Sequence, residues 1–166
     1  MLRLIVSSLI LSVAAFAQVP AQPSPEKIKK EVDAFQVAVT EAVSSAVPGP
    51  GVFQAAKGTY LDGYGIVVTL EVAFEPPRNP FNPGRTPNDV RTSVAQRRKD
   101  TMEKLTNLLK QRTPAIESLA PTESATVILY LLNTNPADLP DLPAQIVMSM
   151  RKQEAAAGRP NIKEYK

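Results

Sequence analysis

The sequence contains no cysteine, no histidine and no tryptophan. Without cysteine there is no disulfide bond and no thiol for the lipid anchor of an exported lipoprotein. Without histidine the chain lacks the commonest metal ligand and the usual general base near neutral pH, which excludes histidine-based zinc chemistry and Ser-His or Cys-His triads. We therefore expect stability to come from apolar packing, and we predict no metal site and no cofactor.

The chain also has little net charge, because its basic and acidic residues are nearly equal in number. The formal net charge is +3, which is too small to indicate nucleic acid as a partner. The basic residues are concentrated between positions 78 and 112, where nine arginines and lysines outnumber three acidic residues. Such a surface would attract a negatively charged partner, although a solvated helix face is the plainer interpretation.

The first 17 residues have the pattern of a secretory signal peptide. An arginine precedes a short apolar run, and the segment ends in the A-x-A triplet of a cleavage site. The apolar run is shorter than the ~20 residues that a membrane-spanning helix needs. We therefore expect a signal peptide over 1–17, a flexible leader over 18–23 and one domain over 24–166. That domain is expected to be exported, to the periplasm or the extracellular space, without a stable membrane anchor.

Hydrophobic periodicity predicts a single α+β domain in the order α-β-β-α-β-β. Amphipathic patterns indicate one helix that starts near Ser24 and a second over about 89–112, and the strands are predicted over 53–61, 64–74, 125–132 and 145–150. We expect these strands to form a four-stranded, largely antiparallel sheet of two hairpins. Both helices should pack on the sheet face that carries Ile66, Val68 and Leu70.

The third predicted strand, 125–132, is an almost unbroken apolar run, which is typical of a central strand covered on both faces. A proline-rich loop over 75–88 precedes the second helix, and loops of that length are usually functional or mobile. Within this helix Arg98 falls on the apolar stripe. We expect its guanidinium to have a partner, with Glu71 the candidate, or else to reach solvent past Met102.

The eight residues 60–67 read Tyr-Leu-Asp-Gly-Tyr-Gly-Ile-Val. This stretch resembles a YLxGYGxV segment of uncharacterised exported bacterial proteins. The resemblance implies export and a similar arrangement of helices and strands, and it implies no activity. The order of elements is also similar to that of roadblock-type domains, a likeness of fold that says little about function.

Two short motifs have a plain structural interpretation. Ser149 and Lys152 match the S-x-x-K of penicillin-binding enzymes, but the serine lies in a predicted strand and the companion motifs are absent. A cluster of oxygen donors could in principle surround calcium, but its spacing is not that of an EF-hand, and such residues dominate turns: Asn133, Asn135, Asp138 and Asp141.

Arginine and tyrosine are the residue types that dominate protein interfaces, and they supply most of the predicted binding residues. The candidates are Arg98, Arg97, Arg78, Phe81, Tyr60 and Tyr64. The favoured function is a non-enzymatic exported binding or assembly module, with another envelope or secreted protein as the partner. Its binding surface is expected to be the proline-rich loop, the basic helix face or the less apolar sheet face. One alternative is a small hydrolase-like enzyme using carboxylate or Ser/Lys chemistry, which needs a pocket of convergent polar groups. The other is a binder of anionic envelope polymers or a lipid surface through the basic helix.

Overall fold

The computed structural model describes residues 23–47, 51–52, 54–75, 86–133, 136–156 and 158–166. Two helices and five strands follow one another along the chain, so the expected α+β class is confirmed. Short 3₁₀ turns follow the second helix and the fourth strand. The principal elements are α1 (Pro25–Ala46), β1 (Lys57–Leu61), β2 (Gly65–Val72), α2 (Pro87–Arg112), β3 (Ser124–Leu131), β4 (Gln145–Arg151) and β5 (Asn161–Tyr165).

Both helices begin with a side-chain cap followed by a proline. The Ser24 hydroxyl accepts a hydrogen bond from the third residue of the first turn in α1. At the start of α2, Thr86 and Asp89 form a reciprocal capping box. Because the proline at position 87 suits the first helical turn, α2 starts two residues earlier than the basic and apolar pattern predicted.

The sheet has the strand order β1-β2-β3-β4-β5. Strands β2 and β3 are parallel, since α2 connects them, and the other three pairs are antiparallel. The predicted strands 64–74 and 125–132 therefore lie side by side, and β3 occupies the central position expected for it. The sheet differs from the predicted four-stranded one by the additional edge strand β5, whose five residues are all exposed.

Both helices pack on the same face of the sheet, as expected. Ile66, Val68 and Leu70 of β2 are at most 2% exposed and belong to one core with the apolar faces of α1 and α2. Close approach of α1 to β1 requires a glycine: the Gly58 amide donates to Gln36 Oε1 at 2.8 Å, and a Cβ there would come within 2.7 Å of a Val32 methyl carbon. This apolar cluster thus lies between the helices and one sheet face, while Val67 and Thr126 are buried on the other face.

Candidate binding surfaces

The opposite side of the sheet is not packed against either helix. We call it the open sheet face, made by the side chains that alternate with the core residues along each strand. The strand register assigns these members to it: Lys57, Thr59, Leu61, Val67, Thr69, Glu71, Thr126, Ile128, Tyr130, Gln145, Val147, Ser149, Arg151, Asn161, Lys163 and Tyr165. The second cover predicted for β3 is therefore not supplied by α1 or α2.

Exposed large apolar side chains are concentrated on this face. The described part of the chain has six of them, and Leu61, Tyr130 and Tyr165 lie on the open sheet face with 45–49% of their surface exposed. Tyr64 lies in the turn beside the face, and its Oη accepts a 3.4 Å hydrogen bond from the Thr126 hydroxyl. Leu61 and Tyr64 lie at one end of this face, and Tyr130 and Tyr165 lie at the other, roughly 20 Å away along the strands. Exposed apolar side chains that share one sheet face indicate a candidate interaction surface.

One row across the sheet combines an apolar centre with a lysine at each end. The register places Thr69, Ile128 and Val147 side by side, with Lys57 beyond them on β1 and Lys163 beyond them on β5. Both lysines are exposed. Neither forms an ion pair with any residue that the structure describes. Because adjacent strands are about 4.8 Å apart, the two ends of the row lie roughly 19 Å apart.

A buried carboxylate holds the turn at one end of the open sheet face. Glu123 is only 4% exposed and lies directly before β3. Its Oε1 accepts hydrogen bonds from the Tyr60 hydroxyl at 2.8 Å and the Gly63 amide at 3.0 Å, while Oε2 accepts one from the Ala120 amide at 2.8 Å. These bonds fix the turn that carries Tyr64, and they give Tyr60 a structural role.

The environment of Tyr60 favours its neutral phenol. Desolvation by burial, followed by the hydrogen bond to Glu123, raises the pKa of Tyr60 from 10.0 to about 12. A donating hydroxyl is what the Glu123 carboxylate requires, so the phenol serves this contact across the physiological pH range. Tyr60 lies on the helix side of β1, away from the open sheet face.

A second surface is a shallow groove of about 380 Å³ between α2 and the segment 138–142. Arg91 Nε donates to the Asp138 carbonyl at 2.8 Å. The ammonium group of Lys166 lies 3.3 Å from the Asp141 carboxylate. Charged groups on both sides of the groove thus contact the protein itself. Its lining is Arg91, Val94, Ala95, Arg98, Asp138, Leu139, Pro140, Asp141 and Leu142.

Arg98 lines this groove and has the carboxylate partner expected for it. The partner is Glu164 of β5, to which its guanidinium donates a hydrogen bond. Glu71, the candidate from the sequence, is wrong because it lies on the opposite side of the sheet. The prediction could not name Glu164, since β5 was not recognised as a strand.

The other predicted binding residues do not gather into one site. Arg97 is half-buried on α2, outside the lining of the groove, and its carbonyl accepts from the Thr101 hydroxyl at 2.8 Å. Arg78 and Phe81 lie outside the described residues. Of the six candidates, therefore, Arg98 belongs to the groove and Tyr64 to the edge of the open sheet face.

The S-x-x-K pair is not assembled as a catalytic unit. Ser149 lies in β4, as predicted, with its hydroxyl 3.0 Å from that of Thr126 on the open sheet face. The Lys152 ammonium instead donates to the carbonyls of Ile116 and Leu119, at 2.7 and 2.9 Å. These two bonds fasten the end of β4 to the turn that follows α2, so the lysine has a structural role.

Of the oxygen donors that were interpreted as turn residues rather than calcium ligands, Asn133 has a turn-forming contact. Asn133 Nδ2 donates to the Leu139 carbonyl at 3.0 Å, which closes the loop before β4. Asn135 lies outside the described residues. Among the residues with described positions, no group of acidic side chains is arranged to hold a metal ion.

The chain was compared with protein-family models, curated proteins and solved structures. No protein-family model, no curated protein and no solved structure matches the chain. Within the described ranges, no helix is both long and apolar enough to cross a membrane.

The less apolar sheet face was one of the candidate surfaces, but most of the residues that form the open sheet face were not assigned to it from the sequence. Tyr130 and Ile128 lie two residues apart in β3, and this alternation was the available signal. Lys163 and Tyr165 could not be assigned, because they lie in the unrecognised strand β5. These residues of β3 and β5 reach one surface on either side of β4, so their assignment needs the strand order as well as the alternation within each strand.

Proposed function

We propose that the chain is a non-enzymatic exported binding or assembly module, and that its binding surface is the open sheet face. The partner is another protein of the envelope or the secreted space. The observation that carries the proposal is the concentration of exposed large apolar side chains, four of the six in the described part of the chain, on or beside this one face. Tyrosines with half-exposed rings are typical anchors of protein interfaces.

The strand chemistry supports the same surface. Strand β3 pairs in parallel with β2 and carries apolar residues on both sides, including Ile128 and Tyr130 on the open side. An apolar run on both sides of a strand is typical of strands that are covered on both faces. A partner that covers β3 would bury surface that is otherwise left in contact with water.

The two alternative functions receive less support. The described wall of the groove contains arginine, aspartate and apolar side chains but no hydroxyl or amine nucleophile, and Lys152 is bound to carbonyl groups elsewhere. On the basic helix, Arg98 is paired with Glu164 and Lys104 donates to the Ser45 hydroxyl at 2.9 Å. A helix that contacts its own fold in this way offers fewer charges to an anionic polymer.

Retention of envelope proteins by immobilised variants tests the proposal. In the double variant Tyr130→Ala/Tyr165→Ala we expect a protein retained by the wild type to bind about tenfold more weakly or worse, because each truncation removes an aromatic anchor. The matched control is Val37→Ala, which truncates the exposed apolar residue of α1 (55% exposed). The retained protein is then identified, purified and titrated against all three forms. Equal affinity for the wild type and the double variant would refute this function.

A further inference from the structure

The geometry points to one kind of occupant for the open sheet face: an amphipathic helix of the partner protein, with acidic residues along both flanks of its apolar stripe. This inference rests on the proposed function and specifies what the partner presents. The helix would lie along β3 and β4 and contact Ile128, Tyr130 and Val147.

Layer architecture supports a helix in this position. A strand with apolar residues on both of its sides is typical of a sheet that has helices packed on both faces. Here α1 and α2 cover one face, whereas on the other Tyr130 is 45% exposed. Strand β3 has eight residues, which extend over roughly 26 Å, and a helix of about 17 residues has the same length.

The two lysines of the central row supply the charge complementarity. A helix with its side chains is about 10–12 Å wide, and one centred between β3 and β4 has Lys57 on one side and Lys163 on the other, within the roughly 19 Å span of the row. Their ammonium groups are exposed and form no ion pair in the part of the chain that is described. Acidic residues on both helix flanks would meet them.

The same charges argue against a second copy of this chain on the open sheet face. The face carries Lys57, Arg151 and Lys163 but a single acid, Glu71. Two such faces brought together would oppose like charges, and this disfavours self-association. A partner helix with acidic flanks would contact the apolar centre of the face and pair with the basic residues on either side of it.

Designed peptides test this inference directly. One peptide of about 17 residues has leucines at helical spacing, glutamates on both flanks and alanines elsewhere; a second has lysines in place of the glutamates. Neither contains an aromatic residue, so the intrinsic fluorescence reports only the four tyrosines of a protein that has no tryptophan. Three of these tyrosines, at positions 64, 130 and 165, lie on or beside the open sheet face.

We expect the glutamate-flanked peptide to bind, with a change in tyrosine fluorescence and a gain of helical circular dichroism. The lysine-flanked peptide should bind at least about tenfold more weakly, since it opposes two like charges. The double variant Lys57→Glu/Lys163→Glu should reverse this preference. The matched control, Lys29→Glu/Lys30→Glu, changes two exposed lysines of α1 and should leave it unchanged.

Equal affinity for the two peptides, or no binding of either, would overturn the helix inference. If neither peptide binds but retention of an envelope protein still depends on Tyr130 and Tyr165, the proposed function stands and only the helical occupant is wrong. If polygalacturonate binds in a manner that depends on the same tyrosines, the occupant is an acidic glycan, and the inference is again wrong.

Discussion

Glu123→Ala tests the contact that holds the end of the open sheet face in place. The Glu123 carboxylate accepts hydrogen bonds from the Tyr60 hydroxyl, the Gly63 amide and the Ala120 amide, and the residue is 4% exposed. Truncation removes the acceptor of all three bonds at once. The three donors then have to find water or another acceptor.

The expected cost follows from these three bonds. A hydrogen bond to a charged group contributes about 1.5–3 kcal/mol, and a donor left unsatisfied in a buried site costs a similar amount. Gly63 and Ala120 are themselves exposed, so water can reach their amides after truncation. We therefore take about 1 kcal/mol for each bond and expect a loss of about 3 kcal/mol in the free energy of unfolding. In a domain of this size that lowers the Tm by roughly 10 °C.

Urea unfolding followed by circular dichroism measures the loss for Glu123→Ala. Tyr60→Phe is the matched variant, because it removes one of the three donors and keeps the carboxylate; it should cost about 1 kcal/mol. A loss below about 1 kcal/mol for Glu123→Ala would show that the three hydrogen bonds to its carboxylate do not stabilise the fold as expected. So would a loss for Tyr60→Phe as large as that for Glu123→Ala, since the carboxylate would then contribute nothing beyond the phenol contact.

Three further predictions concern single positions. Gly65→Ala should destabilise by about 2 kcal/mol or more in thermal unfolding, because φ is +117° and a Cβ would lie 2.1 Å from the Ser124 carbonyl oxygen. The pKa of Tyr60 is raised in the folded state, so its contribution is present below pH 10.0 and is lost as pH rises through about 12; urea unfolding of Tyr60→Phe should show a smaller loss over that range. Arg98→Met should change stability by about 1 kcal/mol or less, because its ion pair with Glu164 is more than a third exposed, and a larger change in unfolding would contradict that.

The elements with strong periodic patterns could be predicted from the sequence. The amphipathic pattern that starts near Ser24 predicted α1, and the strands predicted over 53–61 and 64–74 pair as a hairpin. The central position of β3 followed from its apolar run. Strand β5 could not be predicted, because Asn161–Tyr165 has only five residues, all of them in the exposed class, and lacks an alternating apolar pattern. It pairs with β4, which would otherwise be an edge strand with unpaired backbone groups, and this pairing does not depend on an apolar pattern in β5.

The candidate surface was harder to predict than the fold. The density of basic residues indicated α2 as a candidate surface. Arg98 is a charged residue on the apolar stripe of this helix, and the expectation that it has a partner is confirmed. The partner itself lies on β5, so its identity depended on tertiary structure. Lys57 and Lys163 are 106 positions apart in the sequence and reach the same row only through the order of five strands. No local pattern links two residues of that kind.

Lysine footprinting by mass spectrometry tests most directly whether the open sheet face is the binding surface. The protein is acetylated briefly in buffer and in envelope extract, and the reaction of each exposed lysine is compared. We expect the extract to protect Lys57 and Lys163, while Lys29 and Lys30 of α1 react as before. Protection confined to the lysines of α1 and α2, with Lys57 and Lys163 still fully reactive, would contradict it.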